Sequence, residues 1–172
     1  DFRRGIDSNK EWSEKDTMPI LFGMDQCVGF DRLVITEGQI DSMSVAEAGI
    51  PNAVSVPTGA NGFTWFSYNY HWITQVKEIV VFGDCESSGI TLIDGLSARL
   101  PKDITIKCVR RKDYLGEKDA NDILRKYGAK AVRYCVENAE VPKLDNVKQL
   151  ADVKSIDINK IEKIRTGVYE LD

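Results

Sequence analysis

The sequence lacks the features that mark metal-thiolate, secreted and membrane proteins. It has one histidine, His71, and four cysteines, which are far apart and form no Cys-x-x-Cys pair. This distribution argues against a structural zinc site and fits a reducing cytosol. No apolar run is long enough to span a bilayer, and the start shows no charged-then-apolar stretch typical of a signal peptide. We therefore expect a cytoplasmic protein without membrane contact.

The chain also lacks a surplus of positive charge. Its 23 lysines and arginines are outnumbered by 27 aspartates and glutamates, and the formal net charge is −4. Such a charge does not indicate a protein that binds nucleic acid over its whole surface. Any contact with nucleic acid would then come from local patches or from further parts of a longer protein, of which we interpret this chain as a piece.

Four short apolar runs alternate with helix-like segments. The runs cover residues 33–36, 53–56, 79–82 and 104–109. The alternation predicts an α/β fold with an open, mainly parallel sheet of about four strands flanked by helices. At 172 residues the chain can bury one good core. We assign this domain to residues 19–137, with a polar flank at 1–18 and a connector at 138–172.

Two segments outside the predicted strands allow more than one interpretation. Residues 1–17 show no clear period and are interpreted as a mobile flank, with a basic arm for a nucleic-acid backbone as the alternative. Pro19–Phe22 is a candidate edge strand. The aromatic segment 63–72 predicts a helix that packs its aromatic face on the sheet, although such rings also stack on bases. The glycine loop 57–62 is a candidate phosphate-binding loop, although glycine loops are also common turns.

Acidic side chains follow three of the four predicted strands. The carboxyl ends of parallel strands line one crevice, so we expect these acids to lie together. Close carboxylates repel each other unless a cation lies between them, and magnesium prefers such oxygen ligands while keeping waters for a substrate phosphate. Two of the acids also fit simpler roles, Asp41 as a helix-start acid and Asp119 as an N-cap. The set comprises Glu37, Asp41, Asp84, Glu86 and Asp119.

Basic residues accompany the acids near the fourth strand exit, at Arg110, Arg111 and Lys118. Magnesium held by acids beside such cations is suited to binding a polyphosphate. The residues by themselves thus indicate magnesium-dependent phosphoryl or nucleotidyl chemistry. A phospho-accepting receiver domain shares the acid cluster, but it does not explain Glu37-Gly38 or the paired acids on the third exit.

Three motifs follow one another along the chain. They are Thr36-Glu37-Gly38-Gln39-Ile40-Asp41, Val81-Phe82-Gly83-Asp84-Cys85-Glu86-Ser87-Ser88-Gly89 and Lys118-Asp119-Ala120-Asn121-Asp122. In this order they resemble the TOPRIM domain in the form found in phage-type primase-helicases and related bacterial primases. The resemblance covers roughly residues 19–137. Residues 164–172 are similar to the lead-in to a RecA-like hexameric helicase domain.

The resemblance implies a nucleotidyltransferase that makes RNA primers on a single-stranded DNA template from nucleoside triphosphates, with magnesium or, alternatively, manganese. It implies that Glu37 is the general acid/base and a metal contact, and that Asp84 and Glu86 are metal ligands. Asp41 and Asp119 would support or complete the metal shell. The phosphate contacts would come from Lys118, Arg110 and Arg111.

One departure keeps other functions open. The family pattern after the third strand is usually Asp-x-Asp, whereas this chain has Asp84-Cys85-Glu86. The extra methylene of the glutamate changes how far its carboxylate extends toward a magnesium ion, whose coordination geometry is strict. Cys85 is expected to pack rather than bind, because thiolate suits a hard cation poorly. The alternatives are a non-catalytic TOPRIM module attached to a replicative helicase and a fragment of a TOPRIM nuclease or topoisomerase.

The resemblance also concerns the parent protein. We expect a helicase domain in the same parent chain or as a partner. In the parent reading frame we expect a zinc-binding module upstream and a phosphate-binding glycine loop with Lys-Ser or Lys-Thr shortly after Asp172.

Overall fold

Strands and helices alternate along the chain. The computed structural model describes residues 2–4, 11–13, 15–27, 29, 31–57, 62–84 and 87–142. No helix among these residues is both long and apolar enough to cross a membrane. The chain divides into two units, residues 1–142 and 143–172, and the second lies outside the described residues. The elements are β1 (Phe2–Arg4), β2 (Glu11–Ser13), β3 (Arg32–Thr36), α1 (Gln39–Glu47), β4 (Ala53–Ser55), α2 (Thr64–Ile73), β5 (Glu78–Phe82), α3 (Ser87–Ser97), β6 (Thr105–Cys108), α4 (Ala120–Tyr127) and α5 (Ala129–Glu137).

A parallel sheet of four strands forms the centre of the fold. Its strand order is β4-β3-β5-β6, and every neighbouring pair is parallel. Thr36, the last residue of β3, pairs with Ser55 on one side and Phe82 on the other, so three strands end at the same level. The predicted α/β fold with an open, mainly parallel sheet is thereby confirmed. The aligned ends create the edge where a ligand crevice is expected.

Both faces of the sheet are buried, and successive strand residues point to opposite faces. Leu33 and Ile35 pack with helices α2 and α3 in one apolar cluster. Val34 packs with α1, α4 and α5 in the other cluster. Full burial of each such side chain stabilises the fold by about 1.5–3 kcal/mol relative to an exposed one. The continuous apolar runs of β3 and β5 therefore follow from helices on both faces.

Single bridges cover the two edges of the sheet. Phe22 pairs with Ser55 of β4, and Glu140 pairs with Cys108 of β6, both antiparallel. The predicted edge strand at Pro19–Phe22 is reduced to Phe22 alone. Proline has no amide hydrogen, and the amide of Leu21 donates to Asn69 Oδ1 at 3.3 Å instead of to a strand. Each bridge pairs one residue of an edge strand with a segment from elsewhere in the chain.

The N-terminal segment contains structure that the sequence did not predict. Strands β1 and β2 form an antiparallel pair, with Phe2 opposite Ser13 and Arg4 opposite Glu11. The sequence predicts no strand within residues 1–17, and the interpretation of this segment as a mobile flank or a basic arm stays a prediction. Strands of three residues are too short to show a readable period. The predicted boundaries of the flank, domain and connector remain predictions.

The aromatic segment forms helix α2, as predicted. Trp65 and Phe66 are buried against the sheet, whereas Tyr68 is 62% exposed. His71 is exposed in the last turn, with its ring 5.8 Å from that of Tyr70. The segment therefore serves mainly to pack the sheet.

Candidate active site

Glu37 and Asp84 meet at the carboxyl ends of β3 and β5. These strands are parallel neighbours, so the residues that follow them emerge side by side. Glu37 Oε1 accepts a hydrogen bond from the backbone amide of Asp84 at 3.1 Å. Both side chains are half-buried. The two acids predicted from different motifs thus lie in one crevice.

Asp41 joins this crevice from the first turn of α1. Its Oδ1 accepts a hydrogen bond from the backbone amide of Asn121 at 3.0 Å. Helix α1 begins after Gly38, and a Cβ atom at residue 38 would stand 2.6 Å from Asp41 Oδ2. Glycine at this position therefore leaves room for the carboxylate of Asp41.

Asp119 is the N-cap of α4. Its side chain accepts a hydrogen bond from the amide of Asp122 at 2.8 Å. Asp41 and Asp119 thus accept hydrogen bonds from two amides in the first turn of α4, where backbone amides have no partners within the helix. Helix α4 is thus tied to α1 at the crevice, and the simple capping role weighed for Asp119 is present. A metal role for either acid remains a prediction.

The buried carboxyl of Asp41 holds its proton more tightly than an exposed aspartate does. The pKa of Asp41 is raised from 3.8 to about 6, chiefly because the carboxyl is buried. The Asn121 amide opposes this effect, the charges of Asp119 and Asp84 add to it, and Lys118 opposes it. Negative charge is therefore crowded here, as expected where a cation is to be held.

The predicted cations have different surroundings. Lys118 Nζ lies 3.4 Å from Asp84 Oδ2, and the side chain is 57% exposed. Arg110 instead forms ion pairs with Asp113 and Glu140, which raise its pKa. Arg111 is exposed in the turn Arg111–Tyr114. The structure thus brings Lys118 to the acids and engages Arg110 elsewhere.

A divalent cation fits the donor set by its chemistry. Carboxylate oxygens are the ligands magnesium prefers, and it commonly takes one or two of them together with waters and substrate phosphate. Within the described residues, no three His, Cys, Asp or Glu side chains form a metal-binding group. The predicted ligand Glu86, its neighbour Cys85 and most of the glycine loop, Thr58–Asn61, lie outside the described residues. Asp84 is the described acid best suited to such a site, because it leaves the strand end beside Glu37.

Sequence reasoning missed the residues that hold this crevice together. Tyr114 is buried, and its hydroxyl donates to the carbonyl of Gly83 at 2.6 Å. Asn121 lies within a quoted motif but received no role. No local pattern identifies Tyr114, because its partner is 31 positions away in the chain.

Comparison with known proteins gives one consistent family. A family model described as Toprim-like matches residues 34–124. The Primase homolog protein of Arabidopsis thaliana is 29% identical over 144 residues, covering 74% of this chain and 43% of that protein. The Twinkle homolog protein, chloroplastic/mitochondrial, of the same plant is 27% identical over 148 residues, covering 75% of this chain and 21% of that protein.

Solved structures agree with these relatives. The primase fragment of the bacteriophage T7 primase-helicase protein superposes with a TM-score of 0.58 at 25% identity. The match covers 67% of this chain and 48% of that one. The chain spans less than half of the length of each curated relative it matches.

Proposed function

The chain belongs to the Toprim-like family, and we propose on that premise that it is the catalytic core of a DNA primase. It would make RNA primers on single-stranded DNA from nucleoside triphosphates, with magnesium or manganese. The observation that carries the proposal is the position of Asp84 at the strand end. Its backbone amide donates to Glu37 and its carboxylate lies against Lys118, and its charge, with that of Asp119, acts on Asp41. Relatives described as primase, primase-helicase and Twinkle homologues support this choice over other phosphoryl chemistry.

Asp84 and Glu86 would hold the metal, with support from Asp41 and Asp119. When bound, the cation would neutralise charge on the incoming triphosphate and on the transition state. Burial is the main cause of the raised pKa of Asp41, and the charges of Asp119 and Asp84 add to it. This grouping of carboxylates supports a cation at this place.

Glu37 would serve as the general acid/base and as a metal contact. Its carboxylate accepts a hydrogen bond from the backbone amide of Asp84. A substrate hydroxyl bound beside Asp84 would therefore lie close to Glu37. A carboxylate at that point could take a proton from the attacking hydroxyl.

Lys118 would contact the triphosphate. Its ammonium group lies against Asp84 and is largely exposed, so it can turn toward a phosphate oxygen. Arg111 is a second, exposed candidate. A phosphate role for Arg110 would require breaking its ion pairs with Asp113 and Glu140.

The partners follow from the relatives. A primase-helicase relative supports a helicase domain in the same parent chain or as a partner. The single-stranded template and nucleoside triphosphates would be the substrates. The upstream zinc module and the downstream phosphate-binding loop belong to this proposal.

A non-catalytic module attached to a replicative helicase is the second candidate. The observation that favours it is Asp84-Cys85-Glu86, where the family pattern usually has a second aspartate. The extra methylene of Glu86 would displace one ligand of a cation that tolerates little distortion. The two candidates differ in whether primers are made.

Primer synthesis on a single-stranded template with ribonucleotides, run on the full-length protein, separates these candidates. We expect wild type to make primers with magnesium or manganese, and Glu37→Gln and Asp84→Asn to reduce the rate at least about 100-fold each. Glu47→Gln and Asp103→Asn alter exposed acids outside the crevice and should leave the rate unchanged.

Two results would contradict the assignment. A wild-type protein that makes no primers with either metal would favour the non-catalytic module. A Glu37→Gln variant as active as wild type would remove the role assigned to Glu37 while leaving the domain's function in place.

A further inference from the structure

The peptide unit that joins Gly83 to Asp84 is held at both ends. Its amide hydrogen, on Asp84, is donated to Glu37 Oε1 at 3.1 Å. Its carbonyl oxygen, on Gly83, accepts the hydroxyl hydrogen of Tyr114 at 2.6 Å. The amide and carbonyl of one peptide lie in a common plane, so two bonds to opposite ends fix its orientation.

Tyr114 is itself fixed by its surroundings. The residue is 4% exposed, and its ring packs edge-on against Phe82, with centroids 5.5 Å apart and planes at 83°. Phe82 is the last residue of β5, two positions before Asp84. The ring thus packs on the end of the strand while the hydroxyl holds the peptide that follows.

Contacts of the segment between β6 and α4 hold Tyr114 in its buried position. Asp113, beside it, is buried in an ion pair with Arg110, and its carbonyl accepts from Cys135 Sγ at 3.2 Å. Leu115 and Gly116 then both adopt left-handed backbone, at φ 57° and φ 86°. A leucine rarely adopts this conformation, and such positions persist where surrounding contacts over-determine the chain. Two residues later Lys118 reaches Asp84.

We propose that Tyr114 is a positioning residue for Asp84. By holding the Gly83 carbonyl, it fixes the direction in which the Asp84 carboxylate leaves the strand end and the distance from Glu37. The inference rests on the proposed function in taking Asp84 as a metal ligand. Residues that orient a ligand typically change metal affinity about 10- to 100-fold when altered.

Manganese binding to the full-length protein, measured by calorimetry without nucleotide, tests this role. Tyr114→Phe keeps the packed ring and removes only the hydroxyl. We expect its dissociation constant for manganese to rise about 10-fold. The amide NMR signal of Asp84 should also shift, because the peptide loses its bond at the other end.

Two control variants separate positioning from general loss of stability. Tyr127→Phe removes a hydroxyl that bonds a carbonyl of the same connection, that of Leu115, but lies outside the crevice. Val132→Ala weakens the apolar cluster to which Tyr114 belongs without touching Gly83. Both should bind manganese as tightly as wild type, even where Val132→Ala lowers the melting temperature as much as Tyr114→Phe.

Each outcome decides the inference. It is overturned if Tyr114→Phe binds manganese as wild type does, if Val132→Ala weakens binding equally, or if wild type binds no manganese. Weakened binding in Tyr114→Phe alone supports it. A wild-type protein that binds manganese but makes no primers would remove the proposed function and leave the positioning role standing.

Discussion

Asp41 is a residue whose negative charge is costly to the fold. Its carboxyl is buried near Asp119 and Asp84, and its pKa is raised to about 6. The folded state therefore keeps a proton that the unfolded state has already lost. Stability from this group is complete below about pH 4 and is lost as the pH rises through about 6.

Asp41→Asn should raise stability in the absence of divalent metal. The amide oxygen can still accept the Asn121 amide, but no charge is buried. We expect a gain of about 1–2 kcal/mol in the free energy of unfolding at about pH 8, after allowing for partial exposure, and none at about pH 4. Urea unfolding at the two pH values measures the difference.

The expected gain in stability of Asp41→Asn comes from removing the charge and not from a change in side-chain shape. Asp103→Asn, at an exposed position, should change stability little at either pH. A gain for Asp41→Asn that is equally large at both pH values would contradict the assignment, because its origin would then not be ionisation.

At the level of elements, helix α3 lies in close contact with the residue that precedes α2. Gly95 of α3 is buried, and a Cβ atom there would overlap the ring of Phe63, which precedes α2. Arg99 lies over the same ring, 4.5 Å from its centroid, and donates to the Gly95 carbonyl at 3.0 Å. The glycine thus allows an aromatic ring to lie directly on the helix.

Gly95→Ala should therefore reverse the usual effect of this substitution. In an unobstructed helix interior the change stabilises by about 1 kcal/mol. Here we expect a loss of about 1–3 kcal/mol, because the ring and Arg99 must move. Urea unfolding checks the sign.

A double variant isolates the contact. In a Phe63→Ala background the ring is gone, and Gly95→Ala should become neutral or stabilising. Ser97→Ala, at an exposed position of the same helix, should stay near neutral alone. If Gly95→Ala is equally harmful in both backgrounds, the ring is not the cause.

For the whole molecule, net charge limits contact with nucleic acid. The formal net charge is −4, and basic side chains such as Arg110 and Lys126 are already paired with acids. Phosphate contacts by unpaired lysines and arginines supply most sequence-independent affinity. Under the proposed function, a domain of this charge would need other parts of a protein to hold the template.

The 172-residue chain by itself should bind single-stranded DNA weakly. We expect a dissociation constant above about 10⁻⁴ M at physiological salt, measured by fluorescence anisotropy. The full-length protein in the same assay serves as the positive control. Tight binding by the chain alone, independent of DNA sequence, would contradict this.

The sequence alone determined the sheet and the acidic motifs. Buried parallel strands read as continuous apolar runs, and turns that end in glycine or acid mark their exits, so β3 to β6 and their order in the chain were predictable. Because parallel strands end at one edge, the meeting of Glu37 with Asp84 followed as well. Such features are encoded by a few consecutive residues.

Only the tertiary structure decided which partners those residues have. Tyr114 bonds Gly83 and Asp41 bonds Asn121 across 31 and 80 positions, and no local period encodes such pairs. Arg110 and Lys118 look equally suited to phosphate in the sequence, yet one is engaged by Asp113 and Glu140 and the other reaches Asp84. Side-chain partners depend on how distant elements pack, whereas strands and exits depend on local pattern.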